Sequence, residues 1–331
     1  MGQKNNVMLE YLRDSRRFAD VFNGYFGEGK QVIDAVYLRD VNEKLNGSIA
    51  KNPKNGERSK EVERIRDVKK IYKDGPVLQL LCLEDQDYVD YTSAVRTLTM
   101  DALEYSQQID LLKKNHKAAK DLKNSNEIEC GISRGDRLHP VITLWWYHGS
   151  SEYDGPTCLK DSLDLNGVIP ERYIADYPMN VLTSTITFDD TRFHTEFREL
   201  YRTLARKNDK IALKELFSSD ERFQSVDEDT LRVISVATDR PSLWNNRKRA
   251  KGEKGGYAMC KAMDEIEADA RAEGVSQGIS QGISQGISQG KGLRENEIIT
   301  DMLSRGKSID EIVEFCNFSY EQVEKVAGNM D

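Results

Sequence analysis

Residues 67–86 read DVKKIYKDGPVLQLLCLEDQ, and no other stretch limits the fold so strongly. A charged segment, Asp67–Tyr72, meets a polar turn, Lys73-Asp74-Gly75-Pro76. An almost wholly apolar segment, Val77–Leu83, follows and stops abruptly at Glu84-Asp85-Gln86. This pattern predicts an antiparallel hairpin whose second strand is buried. With a four-residue loop, Tyr72 pairs with Val77 and Asp67 falls opposite Cys82. Side chains alternate between faces along a strand, so Asp67, Glu84 and Gln86 then share one face, with Asp67 and Glu84 as diagonal neighbours. A three- or five-residue loop would flip that parity.

Two acids at the end of a buried strand need a reason. One reading is a hairpin whose end reaches solvent, where carboxylates are hydrated. The other is a divalent-cation site, because buried carboxylates repel one another unless a cation or proton intervenes. Mg2+ is suited by one or two carboxylates together with water and phosphate oxygens.

The Asp, the hairpin and the Glu-x-Gln leading into a helix resemble the catalytic core of the PD-(D/E)XK nuclease superfamily. More narrowly, the chain resembles the Rpn family of recombination-promoting nucleases and transposase-like proteins. Further segments carry the resemblance: Phe18-Ala19-Asp20-Val21-Phe22-Asn23, Arg96 in the following helix, and Leu138-His139-Pro140-Val141-Ile142 leading to Tyr147-His148-Gly149. It covers roughly residues 8–240. It implies an α/β, restriction-endonuclease-like core with a mixed sheet flanked by helices, acting as a metal-dependent DNA endonuclease. Asp67 and Glu84, with the backbone carbonyl of Asp85, would hold Mg2+ or another divalent cation. Gln86 would orient a water or phosphate oxygen, and Asp20, on the first helix, would add a third carboxylate. Gln86 stands where the superfamily usually has lysine, and a neutral amide cannot supply that charge. The alternative is therefore a catalytically inactive DNA-binding or assembly protein on a nuclease scaffold.

Composition narrows the partners. The net charge of −8 argues against a broadly basic nucleic-acid coat. Two local patches run the other way: residues 51–73 hold nine Lys/Arg against four acids, and residues 240–254 hold six against one. The first lies beside the candidate site and suits contact with a DNA backbone. Either patch also reads as a solvated face. The five cysteines show no Cys-x-x-Cys pair and the four histidines no metal-ligand spacing, so reduced thiols and no zinc site are expected. With no apolar run of 18 residues and no secretory leader at the N-terminus, the expectation is a cytoplasmic protein without a membrane partner.

Along the chain, residues 7–26 predict a helix with Phe18, Val21, Phe22 and Tyr25 on one face. Residues 30–60 predict a polar loop, with a short strand within 29–36. Tyr88–Leu112 predicts a long helix whose seam is Val95, Leu98, Ala102, Tyr105, Ile109 and Leu112. In that helix, Arg96 suits either a phosphate or a surface ion pair. His139–Tyr147 and Asn180–Phe188 predict strands. Phe193–Phe217 predicts a helix with Arg198, Arg202 and Arg206 in a column, and Glu228–Ala237 a closing helix.

From about residue 240 the composition turns polar, so three regions are expected: a nuclease-like domain over 1–240, a linker over 241–292 and a small helical, helix-turn-helix-like appendage over 293–331. The linker contains a four-residue repeat, VSQG-ISQG-ISQG-ISQG, at residues 275–290. Glycine at every fourth position costs a helix about 1 kcal/mol each relative to alanine, which favours a flexible spacer. A helix pairing through its Ile and Gly stripes with a second copy, giving a homo-oligomer, is the other reading. In the appendage, Ser308 and Ser319 each precede a helical pattern as capping residues.

Overall fold

The computed structural model describes residues 3–42, 44–49, 60–252 and 255–329. The chain divides into two compact units, Met1–Met263 and Asp264–Asp331.

The first unit is an α/β protein built on a five-stranded mixed sheet. Its strands are β1 (Leu38–Asp40), β4 (Val68–Asp74), β5 (Val77–Gln86), β6 (Val141–Tyr147) and β7 (Asn180–Thr183), in the order β1-β4-β5-β6-β7. β1, β4 and β5 run antiparallel to their neighbours, while β5, β6 and β7 are parallel. The apolar strand of the hairpin is thus central, as its composition requires. A separate two-stranded arm, β2 (Lys44–Ile49) with β3 (Lys60–Ile65), feeds directly into β4.

The hairpin loop is tighter than four residues. Asp74 pairs with Val77 across Gly75 and Pro76, and Gly75 adopts φ +55°. That positive φ is what a two-residue turn demands and glycine supplies. The ladder shifts by two residues, Tyr72 pairing with Gln79 and Val68 with Leu83. A shift of two preserves parity.

Helix α3 (Ser93–Ala119) returns the chain from β5 to β6 over one face of the sheet. Its buried side is not the expected apolar seam. Val95 and Ala102 are exposed, while Ala94, Thr97, Met100, Asp101 and Glu104 are buried. Met100 packs with Trp145 and Met179, but Asp101 and Glu104 turn inward because Arg66 and Lys69 lie beneath them.

The opposite face carries α1 (Gln3–Arg13), α2 (Ser15–Phe26) and α5 (Phe197–Leu204). Trp146 stacks on Phe197 at 4.8 Å, and Phe18 and Phe22 are fully buried. Residues 7–26 form two helices because the Asp14 carboxylate accepts from the Arg16 and Arg17 amides and starts a second helix. No strand lies within 29–36; a short turn over Ala35–Tyr37 leads to β1. Asp209 likewise divides the expected helix 193–217, capping α6 (Lys210–Ser219) through the Ile211 and Ala212 amides. Strand β7 stops at Thr183, and a short helix, α4 (Ser125–Cys130), precedes β6. Helix α7 (Glu228–Ala237) has the bounds its pattern predicts.

The residues after 240 belong to this unit rather than to a linker. Helices α8 (Pro241–Asn245) and α9 (Arg247–Ala250) bury Leu243 and Ala250, and Tyr257 and Val226 exchange backbone hydrogen bonds. Helix α10 (Met259–Ser304) opens with Met259 and Ala262 buried. The unit therefore runs to Met263, past the boundary expected at 240.

In the second unit, α10 contains the whole glycine repeat, so that segment is helical rather than a spacer. Val275, Ile279, Ile283 and Ile287 are exposed along it. Its last turns join α11 (Ile309–Cys316) and α12 (Tyr320–Ala327) around Ile299, Ile312 and Val323. Ser308 and Glu311 form the expected capping box, and Ser319 caps α12. No helix among the described residues is long and apolar enough to cross a membrane.

Candidate functional site

The chain leaves the β2/β3 arm and enters the main sheet at Arg66-Asp67, so neither residue belongs to a strand. The ladder ends at the Val68–Leu83 pair, and Asp67 lies one residue outside it, near enough for its charge to act on Glu84. The Asp85 amide donates to Asp67 Oδ2 at 2.9 Å. The structure thus joins Asp67, Glu84 and the Asp85 backbone, and Gln86 follows on the Glu84 face.

Glu84 is 1% exposed. Its Oε1 accepts from Arg66 Nη1 at 3.3 Å, while its Oε2 is buried without a partner. Burial pushes the Glu84 carboxyl from an ordinary 4.5 up to about 8; the Arg66 guanidinium opposes that rise and the Asp67 charge adds to it. Gln86 Oε1 and Arg66 Nε are also buried and unpartnered. Three unsatisfied polar atoms on neighbouring residues of one site are unusual in a folded interior.

Arg66 is the residue that sequence reasoning missed. Its guanidinium is fully buried and also bonds Asp101 Oδ1 through Nη2 and Thr143 Oγ1 through Nη1 at 3.1 Å. The Thr143 hydroxyl donates to Asp101 Oδ1 at 2.7 Å, and the Tyr177 hydroxyl donates to Asp101 Oδ2 at 2.6 Å. Beside this network, Lys69 Nζ meets Glu104 Oε1 at 2.9 Å. The available signal was the polar stripe Thr97-Asp101-Glu104 on α3, spaced four and three residues apart.

Asp20 lies elsewhere. Both its oxygens are used: Oδ1 accepts from the His194 amide at 2.8 Å, and Oδ2 from the Thr195 amide at 2.8 Å and its hydroxyl at 2.7 Å. It ties α2 to the segment before α5 rather than joining Asp67 and Glu84. Arg96 forms an ion pair with Asp90 and lies 5.0 Å over the Trp145 ring, whose residue pairs with Glu84 in the sheet. On the opposite face, Asp85 Oδ1 pairs with His148 Nε2 at 2.9 Å. Two arginines of the expected column are paired too, Arg198 on Asp190 at 2.7 Å and Arg202 on Asp220. Most of the first basic patch falls on β3 and β4, but residues 51–59 lie outside the described residues. None of the five cysteines, all among the described residues, forms a disulfide.

The donor set fits a divalent cation of the Mg2+ kind. Two carboxylates suffice for such an ion when water completes its shell, and the orphaned Glu84 Oε2 is an acceptor that needs a cation or a proton. Among the described residues, no group of three or more His, Cys, Asp or Glu side chains is arranged to hold a metal. No family model matches the chain, and no curated protein or solved structure matches it either.

Proposed function

We propose that the chain is a metal-dependent DNA endonuclease on a restriction-endonuclease-like core, hydrolysing phosphodiester bonds in recombination or in the movement of mobile elements. The observation that carries this reading is Glu84: buried, within reach of the Asp67 charge, and left with one oxygen unpartnered. The nuclease resemblance of the hairpin supports the substrate class, and the mixed sheet is compatible with it.

Asp67 and Glu84 would hold the cation with the backbone carbonyl of Asp85. A bound divalent cation supplies Lewis acidity, making water nucleophilic at neutral pH and offsetting charge on the attacked phosphate. The Asp85 amide orients Asp67, and Arg66 orients Glu84. Gln86, whose Oε1 is buried without a partner, would orient that water or a phosphate oxygen by hydrogen bonding.

Two observations favour the rival, an inactive DNA-binding or assembly scaffold. Gln86 carries no charge, and Arg66 already compensates part of the charge on Glu84. Supercoiled plasmid incubated with Mg2+, beside a chelator control, separates the two. The nuclease reading expects chelator-sensitive nicking or linearisation that Asp67→Ala and Glu84→Ala abolish. Cleavage at the wild-type rate by either variant would remove the site assignment, and no cleavage by wild type would leave the scaffold reading.

A further inference from the structure

We propose that Arg66 is the positioning residue of the cation site, holding Glu84 by one oxygen so that the other is turned to the cation. This role rests on the cation site proposed above. It stands on a division of labour within one carboxylate: Oε1 is bonded to Arg66 at 3.3 Å and Oε2 has no partner. Asp67 is also held by a backbone donor, its Oδ2 accepting from the Asp85 amide at 2.9 Å. Carboxylates that ligate metals are commonly held from behind by hydrogen-bond donors, which fix their orientation.

Arg66 suits this work because it cannot move. Its Nη2 is paired with Asp101 and its Nη1 meets Thr143 Oγ1 at 3.1 Å. Asp101 is held in turn by the Thr143 hydroxyl at 2.7 Å and the Tyr177 hydroxyl at 2.6 Å. The anchor therefore draws on α3, β6 and the segment before β7. A bare guanidinium so close would repel an incoming cation. The Asp101 carboxylate offsets part of that charge, and the remainder opposes the rise of the Glu84 carboxyl. A planar fork can bond Glu84, Thr143 and Asp101 at once, which the single ammonium of lysine cannot do in the same geometry.

The test is Mn2+ binding, followed by loss of the free-ion paramagnetic resonance signal, on the full chain. The site is defined as the binding that Glu84→Gln removes. Arg66→Lys keeps the charge and loses the fork; it should bind Mn2+ there about tenfold more weakly than wild type. Arg66→Met should bind more weakly still. A residue that only filled space would lower the thermal midpoint and leave Mn2+ affinity untouched. Should Arg66→Met fail to fold by circular dichroism, Arg66→Lys alone decides. Equal affinity in Arg66→Lys and wild type overturns the role of Arg66 while leaving the cation site standing. Wild type without any Glu84-dependent Mn2+ binding overturns both.

Discussion

Asp20 and Glu84 are almost equally buried, at 2% and 1% exposure, yet they sit in opposite situations. Asp20 receives hydrogen bonds on both oxygens from the backbone and side chain of residues 194 and 195. Glu84 receives one bond from Arg66, feels the charge of Asp67, and keeps an oxygen with nothing to accept from. Burial alone therefore does not mark a functional acid. A buried carboxylate with its hydrogen bonds complete holds the fold together; one left incomplete beside another acid stores a preference for a cation.

Exchanging the two residues' fates should break the comparison if it is wrong. Glu84→Ala should abolish Mg2+-dependent cleavage and leave the fold intact. Asp20→Ala should leave cleavage per folded molecule and Mn2+ affinity unchanged, but should destabilise the first unit by about 3 kcal/mol, because several buried donors lose their acceptor. Denaturant unfolding paired with the plasmid assay reads both. Loss of Mn2+ affinity in folded Asp20→Ala would place Asp20 back in the site.

The incomplete carboxylate also predicts a pH dependence. Burial lifts Glu84 from an ordinary 4.5 to about 8, so across that window the folded protein keeps a proton that the unfolded chain has lost. The stability this contributes is complete below the ordinary value and is lost as pH rises through the folded one. Glu84→Gln is neutral throughout. With chelator present, its stability relative to wild type should rise with pH by about 1.4 kcal/mol for each pKa unit separating the two states. Urea unfolding across that window checks the sign; a difference independent of pH would show Glu84 to be ionised in the fold.

A smaller effect sharpens the picture at Gln86. If its unpartnered oxygen faces the same site, Gln86→Leu should cut cleavage several-fold, while Gln86→Lys should keep or raise it by stabilising transition-state charge. Equal rates for all three would show that Gln86 points away from Glu84.

What could be read in advance divides along the same line. The hairpin, β6, α7 and the serine caps of α11 and α12 rest on local signals, namely alternation, turn residues and capping side chains. The two-residue error in the loop left the parity of the ladder unchanged, although Asp67 lies one residue beyond its last pair. Arg66 was hidden in a run of basic residues, since its burial depends on Asp101, Thr143 and Tyr177 from three distant segments. The inward face of α3 was misjudged for the related reason that charges beneath it reward a polar stripe over an apolar one. The glycine repeat was weighed by intrinsic propensity, which the continuous helix over Met259–Ser304 overrides.

The central claim is that Glu84 and Asp67 together await a cation. A crystal soaked in Mn2+ and measured for anomalous scattering tests it directly. The account predicts one peak in coordination contact with Glu84 Oε2 and an oxygen of Asp67, with Arg66 still on Oε1. A crystal that binds Mn2+ at other carboxylates while the space between Asp67 and Glu84 shows none would contradict it.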